Sequence, residues 1–222
     1  MSGLLLSLFG GLDLLGKAAE LEGFTVVRGP DLLWGQNIRG WHVPAGRFDG
    51  VIGGPPCVGE SKLAHLNGTP GYTLRDEFVR VVLEADPRWW LMEAVKAHPD
   101  LDLSPCHVIE LSPRWLGELQ SRRRFFHTNL PIERYVEVAA LEPAEYRHAV
   151  LAGHEGKRGT VSNGIASYHL WEMLALQGAP ADLLAESPFT EVAKRKMIGN
   201  GVPIPMGRAV FRAVKRAMDA SS

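Results

Sequence analysis

The sequence predicts an α/β fold with a mostly parallel sheet and helices on both faces. Three observations carry that expectation. Short apolar runs are continuous instead of alternating with polar residues, as in strands buried on both sides. Helical patterns separate them, and glycine-rich turns close them, which is the rhythm of repeated strand–helix units. In such sheets ligands gather at the carboxyl ends of the strands, where these turns fall.

The first run, Leu4–Phe9, leaves through Gly10-Gly11. Leu14–Leu21 follows as a helix that Gly23 is placed to stop. Phe24–Val27 reads as a second strand, closed by Gly29-Pro30-Asp31, and Phe48–Ile52 as a third, running into Gly53-Gly54-Pro55-Pro56-Cys57. Asp76–Ala85 carries helical spacing in Phe78, Val79, Val82 and Leu83 and ends before Pro87. Trp89–Met92, His107–Leu111 and Phe125–Phe126 complete the strands. The pattern weakens from Leu130 to about Asn163: Glu142–Ala152 suits a helix, and Gly153–Asn163 is polar, glycine-bearing and basic. Tyr168–Gln177 reads as helical. In the last helix Met206, Val210, Ala213, Val214 and Ala217 form one apolar stripe opposite Arg208, Arg212 and Lys215.

With 222 residues, 45% of them hydrophobic and 22% charged, the composition is globular and the length suits one core. A disordered, fibrous or collagen-like chain is excluded. The 24 basic and 25 acidic residues leave a formal net charge of −1, so nucleic-acid binding would need local clusters such as Arg122–Arg124, Lys157-Arg158 or Lys194-Arg195-Lys196. Two cysteines, Cys57 and Cys106, make neither a disulfide scaffold nor a cysteine zinc site, and no metal is expected. The Leu4–Phe9 run lacks a basic leader and is broken by Gly10, Gly11 and Asp13, so it reads as neither signal peptide nor membrane span. A monomeric, cytoplasmic protein is the expectation.

Four motifs carry chemistry. Cys57 stands at the end of an apolar strand on a rigid Pro55-Pro56 turn, which suits a positioned nucleophile as well as a buried structural thiol. Glu93 ends the strand Trp89–Met92, either as a partly desolvated site acid or as a capping carboxylate. In Gln120-Ser121-Arg122-Arg123-Arg124, alternation along a strand would put Arg122 and Arg124 on one face and Arg123 on the other. Two guanidinium groups in a crevice suit a phosphate or a base carbonyl; a solvated basic edge is the alternative. Gly199-Asn200-Gly201-Val202-Pro203 is a turn that opens the last helix.

In this order, Phe9-Gly10-Gly11, Pro55-Pro56-Cys57, Glu93-Ala94-Val95, Gln120–Arg124 and Gly199–Pro203 resemble the ordered motifs of the DNA cytosine-5 methyltransferase family. The resemblance implies a Rossmann-like, S-adenosylmethionine-dependent methyltransferase fold. Its catalytic domain would span residues 1–127 and 165–222, with a target-recognition insertion reduced to 128–164, as in a compact phage-like or orphan member. By the same resemblance, S-adenosylmethionine would be held by Phe9, Gly11, Leu12, Asp31, Leu32, Asn37, Ile38, Pro56, Asn200 and Val202. Asp31 would accept from the ribose hydroxyls, and Asn37-Ile38 would stand at the adenine.

The implied reaction is methyl transfer to carbon 5 of a cytosine flipped out of double-stranded DNA. Cys57 would add to carbon 6, Glu93 would hold N3 and the exocyclic amine, Arg124 would hold O2, and Arg122 would brace the Cys57 and Glu93 loops. Ser61, Gln120, Lys157 and Arg158 are the expected DNA contacts. Lys157-Arg158 reads equally as a solvated loop. RNA cytosine is the alternative substrate, and a catalytically weakened DNA-binding protein the alternative function. The sequence departs from the family pattern at Asp13-Leu14, where two further glycines are usual, at Val58-Gly59-Glu60 after the cysteine, and at Ala94, where an asparagine is usual.

Overall fold

A computed structural model describes residues 3–58, 72–139, 147–151, 161–162, 165–166 and 168–221, by backbone alone at 57–58, 72, 161–162 and 165–166. In chain order the elements that place the site are β1 (Leu4–Leu8), α1 (Leu14–Leu21), β2 (Thr25–Arg28), β3 (Gly50–Gly53), α2 (Arg75–Ala85), β4 (Trp89–Ala94), β5 (His107–Leu111) and β6 (Arg124–Thr128), followed by α3 (Leu170–Leu176), α4 (Glu191–Asn200) and α5 (Ile204–Asp219).

The six strands form one sheet in the order β2-β1-β3-β4-β6-β5. The pairs β1–β2, β1–β3 and β3–β4 are parallel, while β6 runs antiparallel to both β4 and β5. The mixed α/β class and the mostly parallel sheet therefore stand as the sequence predicts them. The single reversed strand, inserted between β4 and β5, is not part of that expectation.

Side-chain alternation along the strands divides the apolar residues into two layers. Leu5, Ile52, Trp89, Leu91 and Phe126 pack with Leu14, Leu15 and Ala18 of α1 and with Met206, Val210 and Val214 of α5. On the opposite face Leu6, Leu8, Val51, Trp90 and Met92 pack with Phe78, Val81 and Val82 of α2. Burial on both faces explains the unbroken apolar runs.

The helix starts follow local chemistry. Asp13 caps α1 by accepting from the Gly16 amide, and Thr190 caps α4 by accepting from the Ala193 amide. Asp76 and Glu77 lie in the first turn of α2, where the helix dipole favours them.

One expectation is corrected. Within Glu142–Ala152, residues Arg147–His148 are extended and pair in parallel with Gln120–Ser121, so no helix covers them. The Arg147 amide donates to the Leu119 carbonyl and the Val150 amide to Gln120 Oε1, which fixes this segment as a strand. Inside 128–164, Ile132 and Val150 are fully buried in the same core as α1 and α5, because their side chains complete that layer. Among the described residues, no helix is long and apolar enough to cross a membrane.

Candidate active site

Parallel β1, β3 and β4 end on the same side of the sheet, and the turns that follow them face the loop between α4 and α5. Between them lies a cleft lined among others by Phe9, Gly10 and Asp13 after β1, Gly53 and Gly54 at the end of β3, Glu93 on β4, and Asn200 to Val202. Among the described residues, its ionisable lining residues are Asp13 and Glu93, both acidic.

The β1 turn is a tight one. Phe9, Gly11 and Asp13 all have left-handed backbone angles, with φ of 55°, 54° and 53°. The amide of Gly11 donates to Asp31 Oδ2 at 2.9 Å, and the amide of Leu33 donates to Asp31 Oδ1 at 2.7 Å. Asp31 thus joins the turn after β1 to the turn after β2, and each of its oxygens keeps a lone pair for a ligand hydroxyl.

Asp13, read in the sequence only as a departure, is a buried hub. Its Oδ1 accepts from Ser7 Oγ at 2.8 Å and from the Gly16 amide at 3.0 Å, and Arg28 Nε lies 2.9 Å from Oδ2. Burial raises its pKa, against the opposing pull of Ser7 and Arg28. The signal is present in the sequence: an aspartate directly before an apolar helix is a preferred cap.

Glu93 lies directly opposite Phe126 in the β4–β6 register. Arg124, two residues before Phe126, therefore shares its face and is the diagonal neighbour of Glu93. Its Nε lies 2.6 Å from Glu93 Oε1. Among the described residues no donor is aligned on that buried oxygen, so the contact is an ion pair that leaves a hydrogen-bonding direction open. Gly54 allows the approach of the β3 turn, since a Cβ there would stand 2.9 Å from Glu93 Oε2.

Arg122 lies between the short Gln120–Ser121 pairing and β6, and is 3% exposed. It donates to the carbonyls of Val150 and Gly199, the latter at 2.7 Å, tying the end of α4 to the segment before β6. Burial and the neighbouring Arg124 push its pKa down while Glu93 opposes them, and the two carbonyls take the place of water around the guanidinium.

Gln120 is buried as well. Only 1% exposed, it donates to the Leu176 carbonyl at 2.8 Å and accepts from the Val150 amide at 3.1 Å, contacts that hold the fold. Arg123 points outward, with a side chain 72% exposed, and reaches Glu110.

The other expected residues divide. Phe9, Glu93, Asn200 and Val202 line the cleft. Leu12 packs against the core around α1. Asn37 and Ile38 are not among the cleft residues: Asn37 Oδ1 accepts from the Arg39 amide at 3.0 Å, and Ile38 is buried in the α2 layer. Leu32 is an exposed apolar residue beside Asp31. The Pro56 carbonyl accepts from the Leu74 amide at 3.3 Å, and the backbone of Cys57–Val58 pairs antiparallel with Tyr72–Thr73. Ser61, Lys157 and Arg158 lie outside the described residues, as does Glu60.

This fold is shared with methyltransferases of known structure. The chain is similar to the Dnmt2 methyltransferase of Schizosaccharomyces pombe (TM-score 0.65, 12% identity, all of both chains covered). It is similar to the methyltransferase EhMeth of Entamoeba histolytica (TM-score 0.62, 11% identity, 100% of this chain and 99% of that one). A putative DNA modification methyltransferase encoded within an Escherichia coli prophage matches at TM-score 0.61 and 14% identity, over 98% of this chain and all of that one. At these identities the likeness is one of fold. No family model matches the sequence, and no curated protein matches it.

Proposed function

We propose that the protein transfers a methyl group from S-adenosylmethionine to carbon 5 of cytosine in DNA. The observation that carries this reading is the Glu93–Arg124 ion pair, set in a cleft beside the Gly53–Cys57 segment. An acid and a guanidinium at that spacing present complementary groups to the N3, exocyclic amine and O2 edge of one pyrimidine. Methyltransferases that share the fold support the class of reaction.

The cleft fits the donor. S-adenosylmethionine supplies a methyl group made electrophilic by a cationic sulfonium, and among the described residues the ionisable ones lining the cleft are carboxylates. Asp31, in the turn after β2, would accept from the ribose hydroxyls, with Phe9, Gly11 and Val202 around the ligand.

The chain's own residues supply the rest. The Cys57 thiolate adds to carbon 6 of the base, which makes carbon 5 nucleophilic. Glu93 holds N3 and the exocyclic amine, and Arg124 holds O2, where negative charge develops. After methylation carbon 5 gives up its proton to water, the electron pair restores the double bond to carbon 6, the bond from sulfur to carbon 6 breaks, and Cys57 leaves as thiolate. Because the base edge is inaccessible in a duplex, the cytosine must be flipped.

The test is incubation of the protein with labelled S-adenosylmethionine and either DNA or RNA, followed by nucleoside mass spectrometry. The expected product is 5-methylcytosine in DNA, absent with Cys57→Ala. DNA containing 5-fluorocytosine should also trap a covalent adduct through Cys57, since fluorine does not leave as a proton. Label confined to RNA would move the activity to the alternative substrate. No methyl transfer to either, with retained DNA binding, would make the protein a binder.

A further inference from the structure

The turn after β3 and the end of β4 each carry a group of the proposed reaction, and they belong to different loops. Ala94, the last residue of β4, offers no polar side chain to join them. A second set of contacts does so on the opposite face of the sheet from Glu93.

The backbone of Cys57 pairs with Thr73, and the Leu74 amide donates to the Pro56 carbonyl, so the start of α2 is fastened to the Pro56–Val58 segment. Arg75, the first residue of α2, folds back on Thr73: its amide and its Nε lie 3.2 and 3.3 Å from Thr73 Oγ1. Its Nη1 then reaches His98 Nδ1 at 2.6 Å. His98, five residues beyond Glu93, is buried, and its backbone amide donates to His127 Nε2 at 2.9 Å. His127 is on β6, directly opposite Met92 of β4, three residues from Arg124. A continuous path of hydrogen bonds thus runs from the backbone of Cys57 to the two strands that hold the Glu93–Arg124 pair.

We infer that Arg75 and His98 form a strut that sets the Cys57 backbone at a fixed distance from Glu93, and are positioning residues for methyl transfer. The inference rests on the proposed function and adds residues that touch neither base nor donor. The mechanism needs the sulfur, the acid and the guanidinium in register on one ring, and a displacement of an ångström is costly in rate. A guanidinium has only donors, so Arg75 engages His98 through an unprotonated Nδ1. The contact is 2.6 Å long and the side chain of Arg75 is one-fifth exposed, so water competes little for it.

The experiment uses the full chain in a Cys106→Ser background, which leaves Cys57 as the sole thiol. Arg75→Ala, Arg75→Lys, His98→Ala and the Arg75→Ala/His98→Ala pair are compared by single-turnover methyl transfer and by the rate of Cys57 alkylation with iodoacetamide. Calorimetric affinity for S-adenosylhomocysteine and Tm are measured alongside. Arg75→Ala should slow methyl transfer roughly 10- to 100-fold with product affinity held within about twofold. It should also change the alkylation rate by about threefold or more, and the double variant should be no slower than the slower single one. Arg75→Lys should restore part of the rate. Multiplying losses in the double variant would overturn the strut, as would wild-type alkylation and transfer rates in Arg75→Ala. A fall in Tm and product affinity that tracks the loss of rate would reduce Arg75 to a fold-holding residue. Should the unsubstituted protein transfer no methyl to DNA or RNA, the proposed function fails and the alkylation series alone decides the strut.

Discussion

Glu93 and Arg124 meet at 2.6 Å because β6 is reversed against β4, which makes them diagonal neighbours on one face of the sheet. In a parallel neighbour the same residues would fall in a different register. The pair is mostly buried, and the two partners are not equivalent in what their loss should do.

Glu93→Gln keeps the shape and removes the charge. Methyl transfer should fall at least about 100-fold, as when a group that stabilises developing charge is removed. Calorimetric affinity for S-adenosylhomocysteine should stay near wild type. Arg124→Ala instead strands a carboxylate in the cleft and should lower stability by about 3 kcal/mol in urea unfolding. A Glu93→Gln protein that methylates at the wild-type rate would remove Glu93 from the reaction.

Asp31 tests the proposed donor site. Asp31→Ala removes the acceptor expected for the ribose and frees the Gly11 and Leu33 amides that shape the turn. A hydrogen bond to a charged group is worth roughly 1.5–3 kcal/mol, so affinity for S-adenosylhomocysteine should drop by about 10- to 100-fold. Unchanged affinity by calorimetry would place the ribose elsewhere.

The elements that sequence patterning reveals are those fixed by neighbours in the chain. The run Leu4–Leu8, helix Leu14–Leu21 and the stripe of α5 follow from local period and caps, and the structure places them within a residue or two of expectation. The convergence of Phe9, Glu93, Asn200 and Val202 on one cleft follows from strand ends lying on one side of a parallel sheet. Arg122 and Gln120 escape such a reading because their partners are remote. Arg122 is satisfied by carbonyls 28 and 77 residues away, and Gln120 by groups 30 and 56 residues away. A run of polar and basic side chains gives no sign of such partners. The reversal of β6 is equally silent, since a five-residue strand has the same pattern in either direction.

His127 gives the fold a defined acid response. Burial pushes its pKa down to about 4 from the ordinary 6.5. In the unfolded chain it takes up a proton near 6.5, so between that value and about 4 the unfolded state holds more protons than the folded one. Stability should therefore fall as pH drops through this window, by up to about 3 kcal/mol from this residue alone, and fall no further on its account below it. His127→Gln keeps an acceptor for the His98 amide and should flatten the pH dependence of urea unfolding between about pH 4 and 6.5. An unchanged slope would mean that another group titrates there.

Gln120 and the Lys157-Arg158 pair separate holding the fold from reading DNA. The buried amide of Gln120 serves the Leu176 carbonyl and the Val150 amide, so Gln120→Ala leaves a donor and an acceptor unsatisfied. That should cost about 2 kcal/mol in chemical unfolding. DNA affinity, measured on folded protein, and its salt dependence should be unaltered, because a residue 1% exposed reaches no phosphate. Replacing Lys157 and Arg158 by alanine should do the opposite. Stability holds, while removing one cation from a DNA phosphate lowers the log–log salt slope of binding by roughly 0.9. With a formal net charge of −1, the chain has no bulk attraction to mask that change. Fluorescence anisotropy over a salt series on both variants measures it. If Gln120→Ala shifts the salt slope and the double alanine variant does not, recognition runs through the Gln120–Arg124 segment and the basic loop is only a solvated surface.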